Sequence, residues 1–200
     1  MTGSQAPLLQ VNISCNDWQR IHNRAARDYK ISEWSREVLF GMRTRRKRLF
    51  SHASGDVLDV ACGYGINFAY LPNASRVQGM DFSTVMLAMA REHVRALGLP
   101  AGLSEGDAEA LDFPDNTFDT VISALSTCSF LNPITALQEM RRVCKPGGRV
   151  LLIEHGRSNW ELIGRYQDRH VLDMMKTAGC HWNREPQALV REAGLKIVKA

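Results

Sequence analysis

Three aspartates and a run of small residues are the parts of this chain best suited to chemistry. Asp56-Val57-Leu58-Asp59-Val60-Ala61-Cys62-Gly63-Tyr64-Gly65 is an apolar run that ends in small residues, and small residues let a backbone turn tightly and approach a ligand closely. Twenty-two residues after Asp59, Asp81 closes the segment Val77-Gln78-Gly79-Met80-Asp81; a carboxylate in that place can accept hydrogen bonds from both vicinal hydroxyls of a ribose. A third acid, Asp107, stands in Gly106-Asp107-Ala108-Glu109-Ala110-Leu111, ahead of Phe113-Pro114. The set suits a nucleoside-like ligand. A dinucleotide fingerprint would need a third glycine at position 68, where helix and strand pack closely, but the chain has Phe68, which counts against a nicotinamide or flavin enzyme.

Acids at such spacing need strands to end on and helices to return the chain. Short β-branched runs at 57–60, 76–80, 102–104, 120–123, 149–153 and 196–198 read as strands, and 67–71, 84–97, 134–144, 160–177 and 187–193 read as helices. Regular alternation of this kind forces parallel strands joined by right-handed crossovers, so the expected fold is α/β, a doubly wound Rossmann-like sheet with ligands beyond its carboxyl ends. Ahead of it, residues 1–16 read as a polar arm and 17–50 as two helices broken near Ile31-Ser32. The expected organisation is an N-terminal arm and helices over 1–50 and a ligand-binding domain over 51–200, together one compact unit.

Composition narrows the classes further. With 200 residues, 44% hydrophobic and 23% charged, the chain is neither low-complexity nor collagen-like, and it lacks the ~18-residue apolar run of a membrane span. Five scattered cysteines without a C-x-x-C pair give neither a disulfide framework nor a thiolate metal motif. With no secretory signal at the N-terminus, the expected location is cytoplasmic, with an organelle left open. Residues 1–50 hold 10 Lys and Arg against 4 Asp and Glu, and the rest 15 against 17. Arg43, Arg46 and Lys47 share a helix face by spacing. They could meet an anionic membrane or nucleic acid, although a solvated face is the simpler reading.

In this order, the segments resemble the motifs of class I S-adenosylmethionine (SAM)-dependent methyltransferases, over about residues 55–199. The resemblance implies that Asp59 helps hold the aminoacid end of SAM, with Ala61 in place of the family's first glycine, Gly63 and Gly65 as its later ones, and Cys62 as a small residue near the ligand. It implies further that Asp81 takes the ribose, that Phe82 and Met86 lie against the adenine, and that Asp107 and the Ala108 amide meet its edge. Phe118-Asp119-Thr120-Val121-Ile122-Ser123 is similar to the family's fourth strand, and Ser123 at its end joins the expected cofactor contacts. Lys145-Pro146-Gly147-Gly148 resembles the turn before the fifth strand, a structural feature. The nearest branch contains the ubiquinone and menaquinone C-methyltransferases; the tail Gly179-Cys180-His181-Trp182-Asn183-Arg184 resembles, less specifically, a thiol methyltransferase-like group. Family members normally finish with a hairpin whose last strand lies antiparallel beside the fifth. Here the sheet is expected to lack it, leaving an edge that another copy could complete.

The resemblance makes the expected activity methyl transfer from SAM to a small or lipid-like acceptor, with S-adenosylhomocysteine as product. Alignment and desolvation can supply most of such a displacement, so a base is optional. His155, after the fifth strand, is a weak candidate for base or substrate contact, and Tyr29 and Trp34 are weak candidates for covering the site. Trp160, Ile163, Tyr166, Met174 and Met175 could form a lid, but helical spacing favours core packing. His170, Asp173 and His181 match no ligand spacing, so no metal is expected. The alternatives are an RNA methyltransferase, motivated by the basic quarter, and a non-catalytic binding subunit, against which stand the intact Asp59, Asp81 and Asp107.

Overall fold

A computed structural model describes residues 14, 16–24, 26, 37 and 41–200. Five strands, β1 (Ser54–Val60), β2 (Asn73–Asp81), β3 (Ala101–Glu105), β4 (Phe118–Ala124) and β5 (Cys144–Ile153), form one sheet in the order β3-β2-β1-β4-β5, with every neighbouring pair parallel. The chain reverses direction of travel between β1 and β4, the switch point at which a doubly wound sheet opens a crevice. Helical residues 16–24 are called α1; the later helices are α2 (Met42–Phe50), α3 (Thr84–Leu97), α4 (Pro133–Val143), α5 (Glu161–Arg169), α6 (Val171–Ala178) and α7 (Pro186–Glu192).

Strand parity divides the core. Side chains alternate across a sheet, so Leu58, Val60 and Val121 bury against Leu137, Met140 and Val143 of α4 and Leu189 of α7. Val57 and Ile122 face the other way, toward Met42 and Phe50 of α2, Phe68, and Leu87 of α3. Helix ends are marked in the sequence: the Ser83 side chain caps α3 by accepting from Met86 N, Asn132 caps α4 ahead of Pro133, and Gly98 and Gly179 leave α3 and α6 in the left-handed region. At the start of β5 the register with β4 slips between Phe118 and Thr120, and Lys145-Pro146-Gly147-Gly148 bulges there, with Lys145 Nζ donating to Asp119 Oδ1 at 2.7 Å.

Several expectations need correction. Residues 196–198 form no strand, so the sheet has five strands and not six; among the described residues no antiparallel strand lies beside β5. The stretch 160–177 is two helices that meet at His170, and 66–70 is a 3-10 turn where a regular helix was expected. Trp160, Ile163 and Tyr166, read as core, are exposed; within that set Met175 is the buried one. Arg46 does not share an outward face with Arg43 and Lys47. It is 1% exposed and donates from Nε to Glu37 Oε1 at 2.7 Å and from Nη1 to Asn67 Oδ1. Burial of a guanidinium requires such pairing. The expected break at Ile31-Ser32 lies outside the described residues.

Candidate active site at the carboxyl edge of the sheet

A cavity opens past the carboxyl ends of β1, β2, β3 and β4, lined on its floor by Ala61, Gly63, Asp81, Asp107, Ala108 and Ser126. The turn after β1 has φ of 55° at Ala61, 56° at Gly63 and 80° at Gly65. Ala61 is thus held where an L-residue costs roughly 1–2 kcal/mol, as is Leu125 after β4 at φ 57°. Both line the cavity, and strain of this kind collects at ligand sites. A Cβ built on Gly63 meets nothing within 4 Å, whereas one on Gly79 would strike Phe68 Cζ at 2.6 Å. Gly79 thereby makes the room for Phe68 at the position where a dinucleotide site has glycine.

Asp81 is the best-organised side chain of the site. Gly63 N donates to its Oδ2 and Ser83 N to its Oδ1, each at 2.8 Å. Burial raises its pKa, opposed by those amides. Each oxygen keeps a second lone pair, so the carboxylate, held in a fixed plane, can accept two further hydrogen bonds. Phe82 and Met86 line one wall. Opposite, Asp107 accepts from Glu109 N at 2.9 Å and pairs in a bridge with Ala110, and Ala108 is buried.

The wall that sequence reasoning missed comes from α1 and the β4–α4 loop. Trp18 and His22, four residues apart, line the cavity with Ser129, Phe130 and Leu131. Trp18 Nε1 donates to Ser129 O at 2.9 Å, Gln19 Nε2 to Phe82 O at 2.7 Å, and Ser83 Oγ to Asn23 Oδ1 at 2.5 Å, so α1 is fastened on both sides of the opening. The imidazole of His22 packs edge-on to Trp18 and Phe82. Its Nδ1 is 3.0 Å from the Trp18 carbonyl; a carbonyl can only accept, which places the proton on Nδ1 and leaves Nε2 with its lone pair. That Nε2 is buried and has no partner among the described residues, and burial lowers the pKa of the ring. The i, i+4 pair Trp18/His22 beside Gln19 was the available signal.

Of the expected cofactor residues, Ala61, Gly63, Asp81, Phe82, Met86, Asp107 and Ala108 line this cavity, and Asp59, Cys62, Gly65 and Ser123 do not. Asp59 shares the strand face of Val57. It is fully buried and accepts from Asn67 Nδ2 at 3.1 and 3.0 Å. Burial pushes its carboxyl up to about 7, against the pull of Asn67 and Arg46. Cys62 is buried beneath the turn and burial raises its thiol; Gly65 packs on Phe68. Ser123 Oγ bonds Val60 O at 2.7 Å and meets Ser126 Oγ, tying β4 to the end of β1. His155 lies beside Cys180, its Nε2 3.6 Å from Sγ, and is not part of the lining. Tyr29 and Trp34 lie outside the described residues.

Comparison with known proteins matches residues 58–152 to the methyltransferase domain family. The chain is 28% identical to the mitochondrial methyltransferase OMS1 of Saccharomyces cerevisiae, over 94% of this chain and 44% of that protein. It is 40% identical to a phosphatidylethanolamine N-methyltransferase of Cereibacter sphaeroides, over 55% and 57%. It is 33% identical to the ubiquinone/menaquinone biosynthesis C-methyltransferase UbiE of Cronobacter sakazakii, over 70% and 60%. The chain spans about half the length of these curated relatives. Among solved structures, a SAM-dependent methyltransferase from Aquifex aeolicus aligns with a TM-score of 0.57 at 26% identity, over 68% of this chain and 74% of that one.

Proposed function

The chain belongs to the class I SAM-dependent methyltransferase family, and we propose that it methylates a lipid-like acceptor, a phospholipid headgroup amine or a quinone ring, within the cavity at the carboxyl edge of its sheet. The observation that carries this reading is the buried Asp81 carboxylate, aimed by Gly63 N and Ser83 N into a cavity whose walls include Trp18, Phe82, Met86, Phe130 and Leu131. The residues fit SAM: the space beside Gly63 admits a ligand against bare backbone, and Asp81 has acceptor capacity for a diol. Phe82 and Met86 would flank the adenine, and Asp107 with the Ala108 amide would meet its edge. Asp59 acts from below, holding the Ala61–Gly65 turn in place through Asn67.

SAM, when bound, supplies a methyl group on a sulfonium, an electrophile that needs alignment and exclusion of water more than activation. Trp18, Phe130 and Leu131 keep water out and offer an acceptor an apolar wall. Methylating an amine or a ring carbon releases a proton, and His22, whose ring lines the same cavity with its buried Nε2 packed against Gly179, could take it after a turn of the ring. An acceptor from a membrane also needs a route. Trp160, at the N-cap of α5, and Leu162 within it are 76% and 84% exposed, with Ile163 and Tyr166 beside them. Arg157, Arg165 and Arg169 flank this patch, the first two paired with Asp168 and Glu161, and apolar side chains beside such polar groups suit the interface of a lipid surface. We place the membrane contact there and not at Arg43 and Lys47. With Arg46 buried, the basic segment also gives less support to an RNA substrate.

The test has two arms. Calorimetry with SAM and S-adenosylhomocysteine should show saturable binding. Incubation of the full chain with methyl-labelled SAM and a lipid extract should put label into the lipid phase. Binding without lipid labelling overturns the acceptor class, and a folded chain without binding overturns the whole reading.

A further inference from the structure

Away from the cavity lining, three separate loops bring soft donors together. Cys128 comes from the β4–α4 loop, His155 follows β5, and Cys180 follows α6. Each offers one ligating atom, and these atoms lie within 4.8 Å of one another; among the described residues no other trio of His, Cys, Asp or Glu converges in this way. Cys180 Sγ stands 3.6 Å from His155 Nε2. In a tetrahedral zinc site, with sulfur at about 2.3 Å and nitrogen at about 2.0–2.1 Å, neighbouring donors are roughly 3.5–3.9 Å apart. The sulfur-to-nitrogen distance is already that of one such edge.

The scaffold around the trio is fixed by contacts of its own. His181 N donates to Cys128 O at 2.8 Å, which ties the Cys180 turn to the Cys128 loop. Arg184 Nη1 donates to Thr127 O and, at 2.8 Å, to Phe130 O. Glu154 Oε1 accepts from Ser126 N and Thr127 N, each at 3.2 Å, and so binds the same loop to the residue before His155. Cys128 is buried, with Sγ 3.6 Å from Ser129 Oγ.

We propose that Cys128, His155 and Cys180 form a three-ligand zinc site with an open fourth position. Two thiolates neutralise the ion and the imidazole adds a neutral donor. Binding at neutral pH releases two thiol protons to solvent and oxidises nothing. A three-protein-ligand site leaves room for water or a small soft anion, the arrangement of catalytic and not of closed structural zinc. No local spacing rule finds such a site, because each ligand comes from a different loop. The proposal concerns these three side chains and stands apart from the methyl-transfer reading.

Cobalt(II), added to the full reduced chain in place of zinc, tests it without any activity assay. One ion per chain should bind, with a thiolate-to-cobalt charge-transfer band and the intense visible bands of tetrahedral coordination, and zinc should displace it. Cys128→Ser, Cys180→Ser and His155→Ala should each weaken binding by at least about a hundredfold, while Cys144→Ser should change nothing. Cys128 is buried, so alkylation of the wild-type chain serves as the test that does not depend on its variant folding: zinc should shield Cys180 from the reagent. Absence of the charge-transfer band, its survival in Cys180→Ser, or equal alkylation of Cys180 with and without zinc overturns the proposal and leaves a thiol–imidazole cluster.

Discussion

At the scale of single residues, the site divides into a group that fixes the cofactor and a group that faces the acceptor. Asp81 belongs to the first. Its two amide donors fix the plane of the carboxylate, so the remaining lone pairs are presented with little ordering cost. Asp81→Ala should weaken SAM binding by about 1.5–3 kcal/mol, roughly tenfold to a hundredfold, the range for losing hydrogen bonds to a charged acceptor. Calorimetry on the variant, with circular dichroism to check its fold, decides this; unaltered affinity would place the ribose elsewhere. His22 belongs to the second group. Since burial holds its pKa below the usual 6.5, the ring is neutral through the physiological range and can take a proton. The expected kcat/KM profile is flat near neutrality and falls on the acid side with an apparent pKa under 6.5. His22→Gln should cut kcat by roughly a hundredfold or more and leave SAM affinity nearly unchanged. A variant with full kcat would show that the proton leaves through solvent.

At the scale of elements, α5 is the departure from ordinary packing. A helix with apolar residues at its solvent side usually has a partner, and Leu162, 84% exposed, is its most protruding aliphatic side chain. If α5 rests on a lipid surface, Leu162→Glu should reduce sedimentation with mixed anionic and zwitterionic vesicles by about tenfold or more, given the ~1.5–3 kcal/mol of one buried aliphatic side chain. The paired substitution Arg43→Ala with Lys47→Ala should have little effect; the reverse ranking would return the contact to α2. The same element shows where sequence reading stops. Apolar spacing on 160–177 reports a helix and a face but not what covers that face, so core was read where solvent lies. Parallel strand direction, by contrast, follows from βα alternation, and Asp81 and Asp107 are legible because each stands where a parallel strand ends. Trp18 and His22 are not, since their place over the cavity depends on long-range bonds to Ser129 and Phe82. Arg46 was misread for a related reason: its helix spacing resembles that of its neighbours, and only the Glu37 and Asn67 partners turn it inward.

At the scale of the whole molecule, the polar chain Glu37–Arg46–Asn67–Asp59 joins α2, the 3-10 turn and β1 beneath the cofactor turn, with Tyr70 donating to Glu37 at 3.2 Å. Removing one member leaves a buried charge without its counterpart, so Arg46→Met should destabilise the fold by roughly 3–5 kcal/mol, read by urea unfolding. Asp59 makes the stability of this assembly depend on pH in the direction opposite to most carboxylates. Its folded pKa, about 7, lies above the unfolded 3.8, so the folded state binds the extra proton between these values. The stabilisation from protonated Asp59 is fully present below about pH 4 and is lost as pH rises through about 7. Asn at this position keeps the size of the side chain and cannot ionise, so Asp59→Asn should gain stability relative to wild type as pH climbs from about 4 to about 8. Melting temperatures of the two proteins across that range test the point. A constant difference would mean that Arg46 and Asn67 overcome burial and keep Asp59 ionised throughout, making the network an ion pair held by charge and not by a shared proton.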